Sequence, residues 1–145
     1  MQNLPHEYAV SASSRSSDNV TLKSPGLQNL ESAPPSEFGG PGDLWSPETL
    51  LVAAVADCFV LSFRAIARAS KLEWNAISCD VDAVLDRVDG VTRFTEFAQR
   101  VVLEVPNGTD EGRATRLLEK AEHVCLITNS MTAESRLDAE VRIVD

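Results

Sequence analysis

The sequence is poor in basic residues. It has 13 Lys and Arg against 22 Asp and Glu, so its formal net charge is −9 at pH 7. Nucleic acids and anionic membrane surfaces are bound mainly through clustered Lys and Arg side chains. We therefore expect neither nucleic acid nor a membrane surface as a partner of this chain.

Targeting segments are also missing from the sequence. The first residues, MQNLPHEYAV, have neither the basic start nor the apolar stretch of a secretory signal peptide. A membrane-spanning helix needs about 18 consecutive, predominantly apolar residues, but Asp57, Arg64 and Arg68 interrupt the most apolar segment. We expect a cytoplasmic protein, in a compartment where thiols stay reduced.

Metal-ligand patterns are absent as well. The cysteines, Cys58, Cys79 and Cys125, do not follow the spacing of a zinc site, and His6 and His123 stand apart from each other. We therefore expect no metal and no other cofactor. The sequence also lacks internal repeats and low-complexity tracts, so we expect a single domain.

The most apolar segment is predicted as one long helix over residues 47–70. Ser46 suits the N-cap, Pro47 the first helical position, and Glu48 the first turn, where the helix dipole favours a carboxylate. Apolar side chains then cover nearly the whole circumference, which predicts a central helix buried on most sides.

The remaining segments predict an α+β domain over residues 1–145. Alternation of apolar and polar residues predicts strands over 7–12, 20–23, 76–85, 94–105 and 135–144, and helical spacing predicts a helix over 110–123. Residues 24–43, rich in Pro, Gly and Ser, are predicted as a loop, and 126–132 as a connection or third helical piece. The order ββ-α-ββ-α-β indicates a mostly antiparallel sheet.

The three cysteines differ in their expected surroundings. Cys79 lies on the apolar face of a predicted strand, and Cys58 lies within the apolar helix. Taken individually, each cysteine is expected to be a small core residue. Cys125 follows a helix directly, where we expect greater exposure. His123 could act as a base for that thiol, although a partly exposed histidine at a helix end is the commoner case.

Two motifs resemble those of a known family. The first is Pro-Glu-Thr-Leu-Leu at 47–51 with Ala-Asp-Cys-Phe at 56–59, and the second is Cys-Leu-Ile-Thr-Asn-Ser at 125–130. With the chain length and the element order, residues 8–144 resemble the OsmC/Ohr family of thiol peroxidases (osmotically inducible protein C and organic hydroperoxide resistance protein).

The resemblance implies a peroxidase of oxidative stress defence that reduces organic hydroperoxides. By resemblance, Cys58 attacks the peroxide and becomes a sulfenic acid, Cys125 condenses with it to a disulfide, and a dithiol reductant of lipoyl type opens that disulfide. Arg15, in the turn of the first hairpin, matches the family's thiolate-stabilising arginine, and Glu48 matches the glutamate that orients this arginine.

The spacing of Glu48 and Cys58 constrains this site. Ten residues separate them in one predicted helix, which is roughly 15 Å along the axis. Either Glu48 serves only the helix dipole, or it meets Cys58 of a second subunit, as the intertwined homodimers implied by the resemblance would allow.

The chain also departs from the family's motifs. Leu126 stands where the family commonly has proline after the second cysteine, and glycines are few beside Arg15. Asp57 would raise the pKa of Cys58 if it faced the thiol, although neighbours in a helix point about 100° apart.

The substrate is expected to be apolar. An apolar pocket around Cys58 would favour an alkyl hydroperoxide over hydrogen peroxide. Its expected lining is Val55, Phe59, Leu61 and an aromatic residue of the preceding loop, Phe38 or Trp45. Two other functions stay open: a dimeric binding protein for a small apolar ligand, and a redox sensor with slow turnover.

Overall fold

The computed structural model describes every residue from Met1 to Asp145. The chain divides into two compact units, Met1–Leu50 and Leu51–Asp145. The elements are β1 (Ser11–Ser13), β2 (Val20–Lys23), β3 (Leu30–Ser32), a 3₁₀ turn (Ser36–Phe38), α1 (Pro47–Ser70), β4 (Ala76–Val88), β5 (Val91–Pro106), α2 (Glu111–Val124), α3 (Leu126–Asn129) and β6 (Glu134–Val144). That all residues form a single domain stays a prediction.

The first unit contains a small antiparallel sheet in the order β1-β2-β3. The predicted hairpin of β1 and β2 is present, but its first strand begins at Ser11 rather than at residue 7. The third strand was missed, because it lies within the segment predicted as a loop. Three residues are too few for an alternating pattern to stand out among prolines and glycines.

Helix α1 begins where the sequence predicts. The Thr49 amide donates to Ser46 Oγ at 3.1 Å, and the Ser46 amide donates to Thr49 Oγ1 at 2.8 Å. This reciprocal pair satisfies backbone donors that the first turn leaves free. The observed span, Pro47–Ser70, is the predicted one.

Within one chain α1 is buried along one face only. Its fully buried side chains are Val55, Phe59, Phe63 and Ala67, at steps of four residues, whereas Leu61 is 51% exposed. The expectation of burial on most sides is therefore wrong for the single chain. A helix is covered all round only when elements pack on it from several directions, and one chain of this length supplies too few.

Helix α1 also has the length and composition of a membrane-spanning helix. It has 24 residues and a mean hydropathy of 2.0 in its most apolar window, of which 22% is buried. Its few charges do not exclude a span by themselves, contrary to the sequence argument. One such helix is weak support, because the core helix of a soluble protein has the same composition. That no segment crosses a membrane stays a prediction.

The second unit contains a sheet in the order β4-β5-β6. β4 and β5 are antiparallel and extend further than predicted, because a tight turn at Asp89 and Gly90, both with positive φ, lets pairing continue to the strand ends. β6 runs parallel to β5, which requires a crossover, and α2 and α3 lie in it. The mostly antiparallel α+β fold is confirmed.

The core of the second unit lies between this sheet and the helices. Phe59 and Phe63 of α1, Leu103 of β5 and Leu118 of α2 share one apolar cluster, and each is 0% exposed. Asp110 caps α2 by accepting a hydrogen bond from the Arg113 amide at 2.9 Å. The core thus holds the middle of α1 and the body of α2 against the same strands.

Truncation of Leu118 tests this core. Leu118→Ala should lower the free energy of unfolding by about 2–5 kcal/mol, because it leaves a cavity among fully buried neighbours. Val91→Ala, at a hairpin position that is 59% exposed, is the matched control and should change it by less than about 0.5 kcal/mol. Urea denaturation measures both, and equal effects would contradict the described core.

Candidate active site

Two of the three cysteines come together in the second unit. Cys58 lies in the middle of α1, and Cys125 lies at the junction where α2 ends and α3 begins. Each side chain is near enough to shift the pKa of the other, and both thiols are free. The structure therefore juxtaposes the two residues to which the family resemblance gives complementary redox roles.

The two thiols differ in their access to solvent. Cys58 is half-buried, whereas Cys125 is 0% exposed. The expectation of greater exposure for Cys125 is therefore wrong. Helix α3 starts at the next residue, so the chain turns back over the thiol instead of leaving it at a free helix end. Cys58 is consequently the thiol of the pair that a dissolved reagent can reach.

The surroundings of Cys58 favour its neutral form. Burial raises the pKa of the Cys58 thiol, and the Cys125 side chain raises it further, while the Ile127 amide and the Ser62 hydroxyl act in the opposite direction. Ser62 Oγ lies 3.8 Å from Cys58 Sγ. Asp57 is exposed and is not among the groups that shift this pKa, so it does not face the thiol.

The surroundings of Cys125 favour the thiolate. Burial alone would raise the pKa of Cys125, but hydrogen bonds from the Thr128 amide and hydroxyl, the Cys58 thiol and the Ile127 amide outweigh it, and the pKa is lowered. Most of these donors belong to the first turn of α3. The first negative charge of the pair therefore forms on Cys125.

Cys79 lies apart from this chemistry. It is half-buried on β4 and packs against the core cluster. Burial, with smaller contributions from Asp80 and Cys125, raises the pKa of Cys79 to about 11. Such a thiol stays protonated near neutral pH and is a poor nucleophile, which agrees with its expected place as a small core residue.

The structure does not bring Arg15 and Glu48 together. Arg15 lies in the exposed turn between β1 and β2, where its carbonyl accepts from the Asp18 amide at 3.1 Å. Glu48 lies in the first turn of α1, and its Oε2 is buried without a hydrogen-bond partner. A buried carboxylate oxygen without a donor is costly, so Glu48 Oε2 would gain from a hydrogen-bond donor.

Apolar side chains flank the thiol pair. Leu61 follows Cys58 by one helical turn, and Val124 and Leu126 adjoin Cys125. Their exposed fractions are 51%, 46% and 65%, and together we call them the apolar rim. The expected lining is thus only partly right.

The other expected lining residues do not belong to the rim. Val55 and Phe59 are 0% exposed and belong to the interior. Phe38 and Trp45 lie in the first unit and are exposed. Of the residues expected to line the pocket, Leu61 is therefore the one that the second unit exposes near Cys58.

Sequence reasoning missed two polar residues at the pair. Ser62 stands four residues after Cys58 and Thr128 three residues after Cys125. Helical spacing could have pointed to Ser62, since residues four apart share a face. His123, by contrast, is exposed and is not among the groups that hydrogen-bond Cys125. This agrees with an ordinary exposed histidine at a helix end and not with a base for the thiol. That no metal or cofactor takes part stays a prediction.

The chain belongs to the OsmC-like protein family. A family model with the description OsmC-like protein matches residues 40–140. The resemblance seen in the two cysteine motifs is thereby confirmed.

Individual relatives are similar over most of their length. The chain is 28% identical over 114 residues to the uncharacterized protein YmaD of Bacillus subtilis, covering 75% of this chain and 76% of that one. It is 28% identical over 97 residues to the peroxiredoxin OsmC of Escherichia coli, covering 67% of each. The fold is that of an OsmC-like protein of unknown function from Vibrio cholerae, with a TM-score of 0.83, 18% identity and coverage of 93% of this chain and 99% of that one.

The order of the two pKa values can be tested by titration. A variant that keeps Cys125 as its only cysteine should form the thiolate at a lower pH than one that keeps only Cys58, because α3 donates to Cys125 while burial disfavours the Cys58 anion. The ultraviolet absorbance of the thiolate, followed against pH, measures both. The variant that keeps only Cys79 is the control and should titrate last, near pH 11. A lower pKa for Cys58 than for Cys125 would contradict this assignment.

Proposed function

We propose that the protein is a cysteine-based thiol peroxidase that reduces organic hydroperoxides in oxidative stress defence. The observation that carries the proposal is the proximity of a reachable thiol, Cys58, to a buried one, Cys125. The family, and a relative named as a peroxiredoxin, support the class of reaction. The apolar rim supports an alkyl hydroperoxide as the substrate.

The proposed reaction has two chemical steps before reduction. The Cys58 thiolate attacks the terminal oxygen of the hydroperoxide, the O–O bond breaks, and the alkoxide takes up a proton and leaves as an alcohol. The Cys125 thiolate then attacks the sulfur of the Cys58 sulfenic acid, hydroxide leaves and is protonated to water, and a disulfide forms. A dithiol reductant, of lipoyl type by family analogy, supplies two electrons to restore both thiols.

A positive charge is needed beside Cys58 for the first step. Burial raises the pKa of Cys58, and a nearby guanidinium would lower it again. We assign this role to Arg15, oriented by Glu48, whose buried Oε2 has no donor within one chain. The roughly 15 Å between Glu48 and Cys58 along one helix supports a site that is assembled between two subunits of a homodimer.

The homodimer has separate support from α1. Apolar residues cover most of this helix, yet only four of its side chains are fully buried. A second copy packed on the remaining apolar surface would remove it from water. We therefore propose an intertwined, cytoplasmic homodimer.

One observation favours a second candidate function. The raised pKa of Cys58 in the single chain makes its thiol a poor nucleophile, as expected for a dimeric binding protein of a small apolar ligand in which the cysteines are core residues. Sustained turnover of a hydroperoxide with a dithiol separates the peroxidase from this binding protein.

Thiol counting tests the two-cysteine reaction. One equivalent of tert-butyl hydroperoxide should remove two of the three thiols and leave a Cys58–Cys125 disulfide, identified by peptide mapping. Cys58→Ser should abolish the rapid reaction, because Cys79 is protonated and Cys125 is inaccessible. Cys79→Ser is the matched control and should react as the wild type does. Survival of all three thiols would overturn the proposal in favour of a ligand-binding protein.

Neutralising Glu48 tests its assignment. Glu48→Gln should slow the oxidation of Cys58 by about tenfold or more, because loss of the charge that orients the arginine lets the thiol pKa rise. Arg15→Gln should have a similar effect. Glu37→Gln, at an exposed carboxylate of the first unit, is the control. Stopped-flow kinetics with tert-butyl hydroperoxide measures the rates. If Cys58 is oxidised in Glu48→Gln as fast as in the wild type, the assignment is wrong and Glu48 only stabilises the helix dipole.

A further inference from the structure

The first turn of α3 closes over Cys125. Thr128 Oγ1 lies 3.2 Å from the Cys125 carbonyl oxygen, to which it donates, and its hydroxyl and amide also lower the pKa of the Cys125 thiol. Since a hydroxyl proton can rotate between acceptors, Thr128 can give its proton to the carbonyl or to the sulfur. It is therefore placed to follow a change of charge on Cys125.

We propose that the Cys58–Cys125 disulfide is opened in one direction: the reductant attacks Cys58 Sγ, and Cys125 leaves as a thiolate that Thr128 stabilises. This inference rests on the proposed function, which supplies the disulfide. It adds an order of attack and a residue that acts on the leaving sulfur.

Access to the two sulfurs favours this order. A thiolate must approach the sulfur that it attacks along the line of the S–S bond. Cys125 is 0% exposed and covered by α3, whereas Cys58 is half-buried beside the exposed Leu61. An incoming dithiol therefore meets Cys58 first.

The charge distribution favours the same order. In thiol–disulfide exchange the sulfur with the lower thiol pKa leaves faster. Hydrogen bonds from Thr128 and Ile127 lower the pKa of Cys125, whereas burial raises that of Cys58. Attack at Cys58 thus expels the better leaving group of the pair.

The electrons and atoms balance with a dithiol as the reductant. One thiolate of the reductant forms a bond to Cys58 Sγ, the Cys58–Cys125 bond breaks, and its electron pair goes to Cys125. The second thiol of the reductant, after losing a proton, attacks the reductant sulfur of the mixed disulfide and expels Cys58 as a thiolate. Two electrons pass to the protein, and the reductant becomes a disulfide.

The order of attack can be read from a trapped intermediate. In Cys79→Ser protein the disulfide is first formed with diamide, and one equivalent of 2-mercaptoethanol is then added, because one equivalent of a monothiol leaves no second thiol to release Cys58 from the mixed disulfide. Acid quenching, alkylation of free thiols and peptide mapping should place the mercaptoethanol on Cys58 and the alkyl group on Cys125. The reverse distribution, or failure of diamide to form the disulfide, would overturn the proposal.

Variants of Thr128 test its part in the reaction. Thr128→Val removes the hydroxyl at nearly constant shape and should slow dithiol reduction of the preformed disulfide roughly threefold to tenfold. Thr128→Ser should restore the rate. Thr115→Val is the matched control, since Thr115 donates to the Glu111 carbonyl at 2.9 Å in the same manner but touches no thiol. Equal rates for the wild type and Thr128→Val would contradict the assignment.

A separate readout distinguishes this inference from the proposed function. The rate of Cys58 oxidation by tert-butyl hydroperoxide is measured separately, in the Cys79→Ser protein. Since diamide forms the disulfide without a peroxide, the order of attack is measured even if hydroperoxides do not react. Loss of peroxide reactivity alone would sink the proposed function and leave the order of attack standing.

Discussion

The proximity of the Cys58 and Cys125 thiols, each of which shifts the pKa of the other, is the constraint on which the site depends. It requires a fixed distance between α1, which carries Cys58, and the α2–α3 junction, which carries Cys125. Phe59 and Phe63 fix α1 in the same core that holds Leu118 of α2. Because these side chains are fully buried, small shifts of either helix are resisted by close packing, and the sulfurs stay within reach of each other.

Within one chain the surroundings of Cys125 are more complete than those of Cys58 and Glu48. The donors of α3 already favour a thiolate on Cys125, so the group that would resolve the sulfenic acid and later leave is in place. Cys58 has the access to solvent but lacks a cation, and Glu48 has a buried oxygen without a donor. The half-exposed surface of α1 and this unpartnered carboxylate are the two observations that support the proposed homodimer.

Local signals predicted most of the elements correctly, whereas features that depend on packing could not be predicted. The cap at Ser46 and the Asp89-Gly90 turn could be predicted because each acts within a few residues. The burial of Cys125 could not, because it depends on the turn into α3. The face that α1 buries depends on what packs against it, and β3 is too short for any periodicity. Ser62 and Thr128 each stand within one helical turn of the cysteine that they affect, so local spacing could have pointed to them, whereas the proximity of the two cysteines depends on the packing of α1 against the α2–α3 junction.

The most direct test compares two oxidants on a single thiol. In Cys79→Ser/Cys125→Ser protein, the rate constants for the oxidation of Cys58 by cumene hydroperoxide and by hydrogen peroxide can be measured by stopped flow. A reachable thiol beside the apolar rim predicts that the organic hydroperoxide reacts at least about tenfold faster, since burying apolar surface favours its binding. Equal rates, or a faster reaction with hydrogen peroxide, would contradict a site for organic hydroperoxides.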